Sequence, residues 1–521
     1  MPKSLATERL SSVSNNKPYS KSVLETCPDR SFIRAYQPST KRQKLIHDAN
    51  ICAKLTTIRP DGGKDVIVLT LTKSAIIGRN PELCTYVVND CMVSGTHCKL
   101  HAVRSPSGGV IISCEDKSRN GITLNGQHIR KSSVILMDGD ILQLPNSLAF
   151  TCHHLWKEHA AKLSFFEPSQ PPEPVHKRIG RYVVTSQCLG TGSFASVHLA
   201  LDPKNHRQVA CKSIRTKKGQ EIPQVMKEVK ILMTLKHPNI NEIYDTEEHK
   251  KFVHIFLQLC TGGDLFTYIT QATGSGSRIC EAECKYIMYQ LLQGLKYLHD
   301  KHISHRDLKP ENILLYCPGP YPRIVIADFG LARPNSYQET LNVCGTISYL
   351  PPEGILALDN KHLGYTGMPS DCWSSGVILY IMLSAPIQRR GSHPFDNEVR
   401  PSSHWISRIQ DSRHPDYSQH FPASYARADS RLKEKIIHGE VEFAKDPWSE
   451  LPDGSVSRFL CQSSHMTLWV SSSAKDLADS LLFHDPQQRA TVYGALKSEW
   501  ILNELDDLQT LYQIRIAPNE A

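Results

Sequence analysis

The sequence predicts a multi-domain protein, with an all-β sandwich followed by an α+β domain. The chain has 521 residues, which is enough for two or three domains. Further along the chain, residues 209–212 are strand-like, and a run of helical periodicity begins after Pro223. This part of the sequence therefore contains both strand and helix. Short β-branched runs separated by Gly, Pro and Asn turns are typical of a sandwich, and they lie at 66–72, 86–88, 109–113 and 141–144.

A polar motif between residues 305 and 330 is the most informative stretch of the chain. It consists of His305-Arg306-Asp307-Leu308-Lys309-Pro310-Glu311-Asn312 and, further on, Asp328-Phe329-Gly330. Phosphoryl transfer spreads charge over three phosphate oxygens, so its catalysis requires mainly positioning and charge neutralisation. Asp307 can accept a hydroxyl proton, Lys309 can reach a γ-phosphate, and Asn312 and Asp328 can hold Mg²⁺. The alternative, an unrelated surface loop, would require a chance match to both strings.

These strings resemble the catalytic motifs of eukaryotic protein kinases, and further kinase elements lie upstream in the expected order. The resemblance implies a two-lobed domain that uses ATP and Mg²⁺. Ala195 stands where the phosphate-covering loop has its third glycine. Glu228 is expected to hold Lys212 in place, although a lone glutamate on an amphipathic helix is usually only solvated. The residues implied to line the ATP site are Gly190, Gly192, Val197, Ala210, Lys212 and Glu228.

The segment 256–260 resembles the hinge between kinase lobes, where main-chain groups bind adenine. The resemblance makes Leu257 the gatekeeper, and it places Gln258 and Cys260 at the adenine edge. Gln258 replaces the more usual glutamate. Because main-chain groups read the adenine, this replacement is expected to cost little.

Two carboxylates suggest a preference for basic substrates. Asp264 matches an acidic position near the ribose, and with Glu311 it predicts an acidic pocket. Such a pocket favours Arg or Lys before the phosphorylated residue by charge pairing. The alternative is that these are exposed carboxylates without a role.

The segment from Cys344 to Glu353 resembles the end of a kinase activation segment. The resemblance implies that Thr346 bridges Asp307 and Lys309, as in serine/threonine kinases. It also implies that Glu353 pairs with Arg489 and that Asp371 braces the catalytic loop.

Arg306, directly before Asp307, predicts a phosphorylated activation segment, since a buried arginine requires an anion. The position often used for regulation in this family is occupied by Asn342. We therefore expect the phosphorylated residue to be Thr346 first and Thr340 second. The full set of candidates is Ser336, Thr340, Thr346 and Ser348.

The turns of the N-terminal sandwich carry a second set of motifs, Gly78-Arg79, Ser94-Gly95-Thr96-His97 and the run from Asp116 to Gly126. In this order they resemble the forkhead-associated (FHA) domain, which binds phosphothreonine. Arg79 and Ser94 can hold the phosphate through charge-assisted bonds of roughly 1.5–3 kcal/mol each. Asn120 can bind the peptide backbone, and His97 is expected to tie one loop to the next. The alternative is a sandwich without phosphopeptide binding.

The predicted boundaries are a disordered tail at 1–49, the FHA domain at 50–155, a linker at 156–180, the kinase domain at 181–501 and a C-terminal tail at 502–521. Polar insertions at 397–429 and 452–467 exceed the usual kinase length and are expected to be long loops, either mobile or partner-binding.

No signal peptide, membrane span or direct nucleic-acid binding is expected. Sixteen scattered cysteines without a Cys-x-x-Cys pair favour reduced thiols over a disulfide framework. A net charge of +8 fits attraction to phosphorylated partners or to chromatin. The nucleus is the expected location, with the cytoplasm as a second one. The basic run Lys41-Arg42-Gln43-Lys44 resembles a weak nuclear import signal, but a solvated basic segment explains it equally well.

Residues 50–501, which are most of the chain, resemble FHA-containing checkpoint effector kinases of the calmodulin-dependent-kinase group. The resemblance implies serine/threonine phosphorylation in DNA-damage or meiotic recombination signalling, with phosphothreonine-bearing adaptors as partners and transient homodimers. A single FHA domain and an N-terminus without Ser-Gln or Thr-Gln sites favour the fungal meiosis-specific branch over a mitotic member. The main alternative is a pseudokinase-like scaffold in which the FHA domain recruits partners. Lys212, Asp307, Asn312 and Asp328, which such scaffolds usually lose in part, are all present.

Overall fold

A computed structural model describes most of the chain between residues 51 and 516. The described residues are 51–59, 61–105, 109–156, 177–191, 195–215, 226, 229, 232–249, 252–274, 279–329, 332–334, 339, 345–360, 362–384, 394–395, 423–439, 441 and 470–516. The predicted N-terminal tail, nearly all of the linker, the 452–467 insertion and most of the 397–429 insertion lie outside them.

The N-terminal domain is a β-sandwich, as the alternating strands predict. One sheet has the order β2-β1-β11-β10-β7-β8, and the other has the order β4-β3-β5-β6-β9. Inward-facing side chains of both sheets, among them Leu55, Leu100 and Phe150, form one buried core. The strands are β1 Ile51–Ile58, β2 Lys64–Thr70, β3 Ala75–Gly78, β4 Tyr86–Val87, β5 Cys98–Arg104, β6 Val110–Asp116, β7 Ile122–Leu124, β8 Gln127–Ile129, β9 Ser133–Leu136, β10 Ile141–Gln143 and β11 Ala149–His154.

The second domain begins with a six-stranded antiparallel sheet in the order β12-β13-β14-β15-β17-β16. Its register places Val197 opposite Lys212, and Leu199 opposite Ala210, so that these four side chains share one face. The strands are β12 Lys177–Ile179, β13 Tyr182–Thr191, β14 Ala195–Asp202, β15 Arg207–Arg215, β16 Ile243–His249 and β17 Phe252–Leu257. The helix expected after Pro223 lies largely outside the described residues.

The C-terminal part of this domain is mainly helical and surrounds one large core. Trp373, fully buried in the helix Gly367–Ser384, stacks on Phe395 at 5.6 Å between ring centroids. The strands are β18 Ile303–Ser304, β19 Ile313–Leu315, β20 Ile324–Ile326 and β21 Arg333–Pro334. The helices are α1 Leu265–Gly274, α2 Glu281–Asp300, α3 Pro352–Asp359, α4 Gly367–Ser384, α5 Ala423–His438, α6 Ser472–Leu481, α7 Val492–Ala495, α8 Glu499–Leu502 and α9 Leu505–Arg515.

The expected ion pair between the activation segment and the helical core is present. Arg489 donates to both carboxylate oxygens of Glu353, at 2.7 and 2.9 Å, and its guanidinium carbon lies 5.0 Å from the ring centroid of Trp373. The Arg489 side chain is fully buried. Because a buried charge without its partner is costly, this pair fixes where the activation segment ends.

One sequence prediction about the C-terminal third was wrong. The helix α5 begins at Ala423, inside the stretch expected to be a loop, because Ala423-Ser-Tyr-Ala-Arg-Ala continues the helical sequence upstream of Arg431. Residues 505–515, inside the predicted C-terminal tail at 502–521, form the helix α9. The hydroxyl of Tyr512 donates to Asn239 Oδ1 at 2.6 Å, which ties this helix to the domain.

Within the described ranges, no helix combines the length and the apolar character that a membrane crossing requires.

Candidate active site

The main chain before the predicted catalytic aspartate is held by a buried carboxylate from α4. Asp371 accepts the N–H groups of His305 at 2.9 Å and of Arg306 at 2.8 Å. A third bond joins it to the ring nitrogen Nε2 of His299 at 3.1 Å. Arg306 has φ +65°, a left-handed conformation that is costly for a residue with a side chain. The bracing role expected for Asp371 is therefore present, and its bonds offset the strain at Arg306.

Asp307 lies at the centre of a compact hydrogen-bond network. Thr346 donates to its Oδ1 from both the main-chain N–H and the hydroxyl, each at 3.0 Å. Lys309 Nζ donates to Oδ2 at 2.9 Å and to the Thr346 hydroxyl oxygen at 2.8 Å. Asn312 Nδ2 reaches Asp307 Oδ2 at 3.1 Å and its main-chain oxygen at 2.7 Å. The bridge predicted for Thr346 is confirmed, and these donors fix the orientation of the carboxylate.

A second charged pair lies across the cleft from this network. Lys212 Nζ contacts Asp328 Oδ1 at 2.5 Å, and Asp328 has φ +62°. The next residue, Phe329, packs its ring edge-on against His305, with 5.1 Å between the centroids. These contacts aim the Asp328 carboxylate into the cleft. Glu228, expected to partner Lys212, and Gly192 lie outside the described residues.

The donor chemistry at this end of the cleft fits a hard divalent cation. The Nδ2 group of Asn312 is engaged with Asp307, which leaves its amide oxygen as the donor that a cation would use. Asp328, whose side chain is 47% exposed, contributes carboxylate oxygens. Oxygen ligands supplied by one or two side chains, with phosphate oxygens completing the set, are typical of Mg²⁺.

The nucleotide-side residues predicted from the sequence line one face of the N-terminal sheet. Val197 and Ala210 lie on the face that carries Lys212, and Gly190 lies opposite Val197 on the neighbouring strand β13. The hinge residues Gln258 and Cys260 follow β17 directly. Burial raises the pKa of the Cys260 thiol to about 12, so the thiol stays protonated.

Asp264 differs from its prediction. Its carboxylate accepts the Thr267 N–H at 2.6 Å and the Thr267 hydroxyl at 3.1 Å, and the residue is only 2% exposed. It therefore caps the N-terminus of α1 and does not form part of an open acidic pocket with Glu311. The Gly262-Gly263-Asp264 pattern also predicts such a cap, because Asp with a helix-forming run behind it is a preferred helix start.

The geometry also disfavours Thr346 as the activating phosphorylation site. A phosphoryl group on its hydroxyl would lie beside the Asp307 carboxylate, which that hydroxyl contacts at 3.0 Å. Two anions at that distance repel each other and would disrupt the network. Ser348 lies in the short helix Ile347–Tyr349 next to it. Thr340, the second-ranked candidate, lies outside the described residues.

The predicted phosphothreonine-binding residues converge at one end of the N-terminal sandwich. The Arg79 N–H donates to the main-chain oxygen of Ser94 at 2.9 Å, so the loops after β3 and before β5 are joined. The Ser94 hydroxyl oxygen accepts the Arg119 N–H at 3.1 Å, which leaves the hydroxyl hydrogen to donate to a ligand. Arg79, Arg119 and Asn120 are exposed, so their polar groups are open to a peptide. Arg119 is a further candidate for binding the peptide, which the sequence motifs alone did not single out.

Two further contacts give these loops their shape. His97 is fully buried, accepts the Ser94 N–H through Nδ1 at 3.0 Å and donates through Nε2 to the Gly121 oxygen at 3.0 Å. This confirms that His97 ties one loop to the next, and burial lowers its pKa in keeping with a neutral ring. Asn120 Nδ2 donates to the Met92 oxygen at 2.8 Å. At Gly78 a Cβ atom would lie 2.3 Å from the Gly95 oxygen, so only glycine allows these loops to approach.

Both domains match known protein families. Residues 183–501 match the protein kinase domain family, and residues 75–145 match the FHA domain family. The chain belongs to the protein kinase family. It is a serine/threonine protein kinase with an FHA domain, and this class uses ATP with a divalent metal ion and reaches its phosphothreonine partners through the FHA domain.

Three curated relatives match large parts of the chain. The "Meiosis-specific serine/threonine-protein kinase mek1" of Schizosaccharomyces pombe is 29% identical over 479 residues, which cover 90% of each protein. The "Probable serine/threonine-protein kinase fhkC" of Dictyostelium discoideum is also 29% identical, over 90% of this chain and 68% of that protein. The "Calcium/calmodulin-dependent protein kinase type 1" of Caenorhabditis elegans is 32% identical over 60% of this chain and 72% of its own length.

The hydroxyl of Thr346 can be tested by two substitutions. We expect Thr346→Val to lower kcat about tenfold or more, because it removes hydrogen bonds to a charged carboxylate worth about 1.5–3 kcal/mol. Thr346→Ser keeps the hydroxyl and is the matched control, with activity close to that of the unchanged chain. Steady-state phosphorylation of a peptide substrate measures both. Equal kcat for the Val and Ser variants would contradict a positioning role for this hydroxyl.

Proposed function

We propose that this chain phosphorylates serine and threonine residues with Mg²⁺-ATP, with Asp307 as the catalytic base. The observation that carries the proposal is the Asp307 network, which aims a carboxylate and the Lys309 ammonium at the same point. When bound, Mg²⁺-ATP supplies the γ-phosphoryl group and neutralises its charge. Asn312 and Asp328 would hold the metal, and Lys212 would hold the α/β-phosphates between Gly190 and the hinge.

The chain's own residues then have separate tasks. Asp307 Oδ1, now bonded to the Thr346 hydroxyl, is the atom that would accept the proton of a substrate hydroxyl. Lys309, held between Asp307 and Thr346, places a positive charge beside the transferred group. Val197 and Ala210 provide apolar surface for the adenine, and the main chain at Gln258 and Cys260 reads its edge. A preference for basic residues in the substrate would rest on Glu311 alone.

We further propose that the FHA domain, at about 50–155, recruits the kinase domain, at about 181–501, to phosphothreonine-bearing adaptors through Arg79, Ser94 and Asn120. Recruitment of two chains to one adaptor would bring their activation segments together in a transient homodimer. The S. pombe relative is named as meiosis-specific and is matched over 90% of its length, which supports a role in meiosis. We place that role in checkpoint signalling in the nucleus.

A labelled-ATP assay on the full chain tests the catalytic assignment. We expect Asp307→Asn to lower phosphate incorporation by about 10²–10⁴-fold, the contribution of a positioned general base. Asp506→Asn is the matched control, because Asp506 is exposed in the first turn of α9, outside the cleft. Mass spectrometry of residues 335–350 shows whether Thr340 is the modified site. Equal incorporation by the Asp307→Asn variant and the unchanged chain would refute the assignment.

Peptide binding tests the phosphothreonine site. Arg79→Ala is expected to weaken the binding of a phosphothreonine peptide about tenfold or more, because it removes charge-assisted bonds to the phosphate. The affinity of the Arg79→Lys variant should lie between those of Arg79→Ala and the unchanged chain, since lysine keeps the charge but lacks the planar guanidinium. Isothermal titration with the phosphorylated and unphosphorylated peptide gives the affinities. Unchanged affinity in Arg79→Ala would mean that this sandwich does not bind phosphate at Arg79.

A further inference from the structure

The sheet β4-β3-β5-β6-β9 of the FHA sandwich is apolar on both faces. Side chains alternate along a strand, so only every second residue can reach the sandwich core. Val110, Ile112 and Val134 belong to that core. Their neighbours Ile111 and Ile135, and Val103 on the adjacent strand, therefore point outward. In a sheet with one solvated face, polar residues are expected at such positions.

This outer face is nevertheless buried, and the kinase domain is what covers it. Ile135 is 0% exposed, Ile111 5% and Val103 7%. These three residues form one hydrophobic cluster with Leu199, Ala210 and Leu259 of the kinase domain. The partly buried side chains packed against this cluster are Met137, Leu189, Val197 and Leu257.

The kinase residues in this cluster belong to the nucleotide cleft. Strand register places Leu199 and Ala210 on the face that carries Val197 and Lys212, and Lys212 reaches Asp328 across the cleft. Leu199 is 0% exposed and Ala210 8%. The apolar surface against which an adenine would pack is therefore covered while the FHA sandwich is docked.

Polar contacts fix the docked arrangement on the N-terminal lobe. The Gln208 side chain accepts the Ile135 N–H at 2.7 Å and donates to the Ile135 oxygen at 2.9 Å, as a neighbouring strand would. The Ser105 hydroxyl donates to the Leu189 oxygen at 2.7 Å, directly before Gly190 of the phosphate-covering loop. The strand β13, beside Gly190, and the strand β15 are thus both held by the FHA domain.

Further contacts reach the hinge and the C-terminal lobe. The Ser113 hydroxyl donates to Thr261 Oγ1 at 2.8 Å, and the Cys317 thiol donates to Glu115 at 3.4 Å. Burial raises the pKa of Cys317 to about 12, so it keeps the proton that it donates. A Cβ atom on Gly263 would lie 3.2 Å from Val103, so the FHA domain also reaches the main chain beside Asp264. Both lobes are therefore bridged across the hinge opening.

We propose that the outer face of the FHA sandwich, formed by Val103, Ile111, Ile135 and Met137, is a lock on the nucleotide site. ATP binds only when this face has left the hinge, so docking and nucleotide binding oppose each other. The exposed Arg79, Arg119 and Asn120 lie at the other end of the strands that carry Val103 and Ile111. Phosphothreonine recruitment can therefore proceed while the lock is closed. This inference rests on the proposed ATP site.

The lock is tested by ATP binding to the full chain, with Asp307→Asn present throughout so that ATP is not consumed. Ile135→Asp places a charge in the apolar contact. Gln208→Glu replaces the amide that donates to the Ile135 oxygen with a carboxylate that is repelled by it. This change is in the kinase domain and leaves the FHA domain unaltered. Ile141→Asp is the matched control, because Ile141 is 47% exposed on a strand of the other sheet. Phosphothreonine-peptide affinity, expected to stay within about twofold, shows that the FHA domain is folded.

We expect Ile135→Asp and Gln208→Glu to lower the apparent Kd for Mg²⁺-ATP at least about fivefold, since apparent affinity scales with the undocked fraction. The Ile141→Asp variant should match the parent chain. Unchanged or weaker ATP binding in both docking variants, with peptide binding intact, would overturn the lock alone. ATP binding absent from every variant would overturn the lock together with the proposed nucleotide site.

Reciprocity provides a second readout that does not depend on the variants. If docking weakens ATP binding, a saturating non-hydrolysable ATP analogue must weaken docking by the same factor. Hydrogen exchange at the Ile135 amide, which donates to Gln208, should then rise when the analogue is added. Exchange at Ile135 that stays constant on saturation would contradict the lock.

Discussion

The carboxylate of Asp371 is the constraint on which the catalytic geometry depends. Its bonds to the N–H groups of His305 and Arg306 hold a left-handed residue directly before Asp307. Without them the strain at Arg306 would relax, and the direction of the Asp307 side chain would change with it. Thr346, Lys309 and Asn312 then complete an arrangement that Asp371 has already oriented. A buried side chain of the α4 core thereby determines where a proton can be accepted.

The FHA sandwich performs two tasks with different parts of the same strands. Its loop ends carry exposed cations beside Ser94, which suits an anionic peptide. Its outer face carries aliphatic side chains, which suit the rim of an adenine pocket. Because the two surfaces lie at different places on β5 and β6, recruitment and restraint of the kinase can be controlled separately. A chain recruited to an adaptor but still locked would remain inactive until its nucleotide site opens.

The motifs that carry chemistry could be predicted from the sequence, because phosphoryl transfer and phosphate binding require particular side chains at fixed spacing. The places of Thr346 between Asp307 and Lys309, of Glu353 on Arg489 and of His97 between two loops were implied by the resemblance of these motifs to known families, and the hydrogen bonds agree with them. The capping role of Asp264 was not predicted, because the kinase resemblance places this residue near the ribose. Its local sequence, an Asp before a helix-forming run, indicates a helix start instead. The docking face was missed although Val110-Ile111-Ile112 shows an apolar run where alternation was expected. A run of this kind shows that both faces of a strand are covered, but it does not show by what.

The steady-state kinetics of Asp371→Asn test the central claim most directly. The substituted amide presents an NH₂ group to one of two main-chain N–H donors, so one bond to the catalytic loop is lost and the strain at Arg306 is less well offset. The account predicts that kcat falls about tenfold or more, while the KM for ATP stays within about twofold because Lys212 and the hinge are untouched. A kcat equal to that of the unchanged chain, in a variant that still folds, would contradict it.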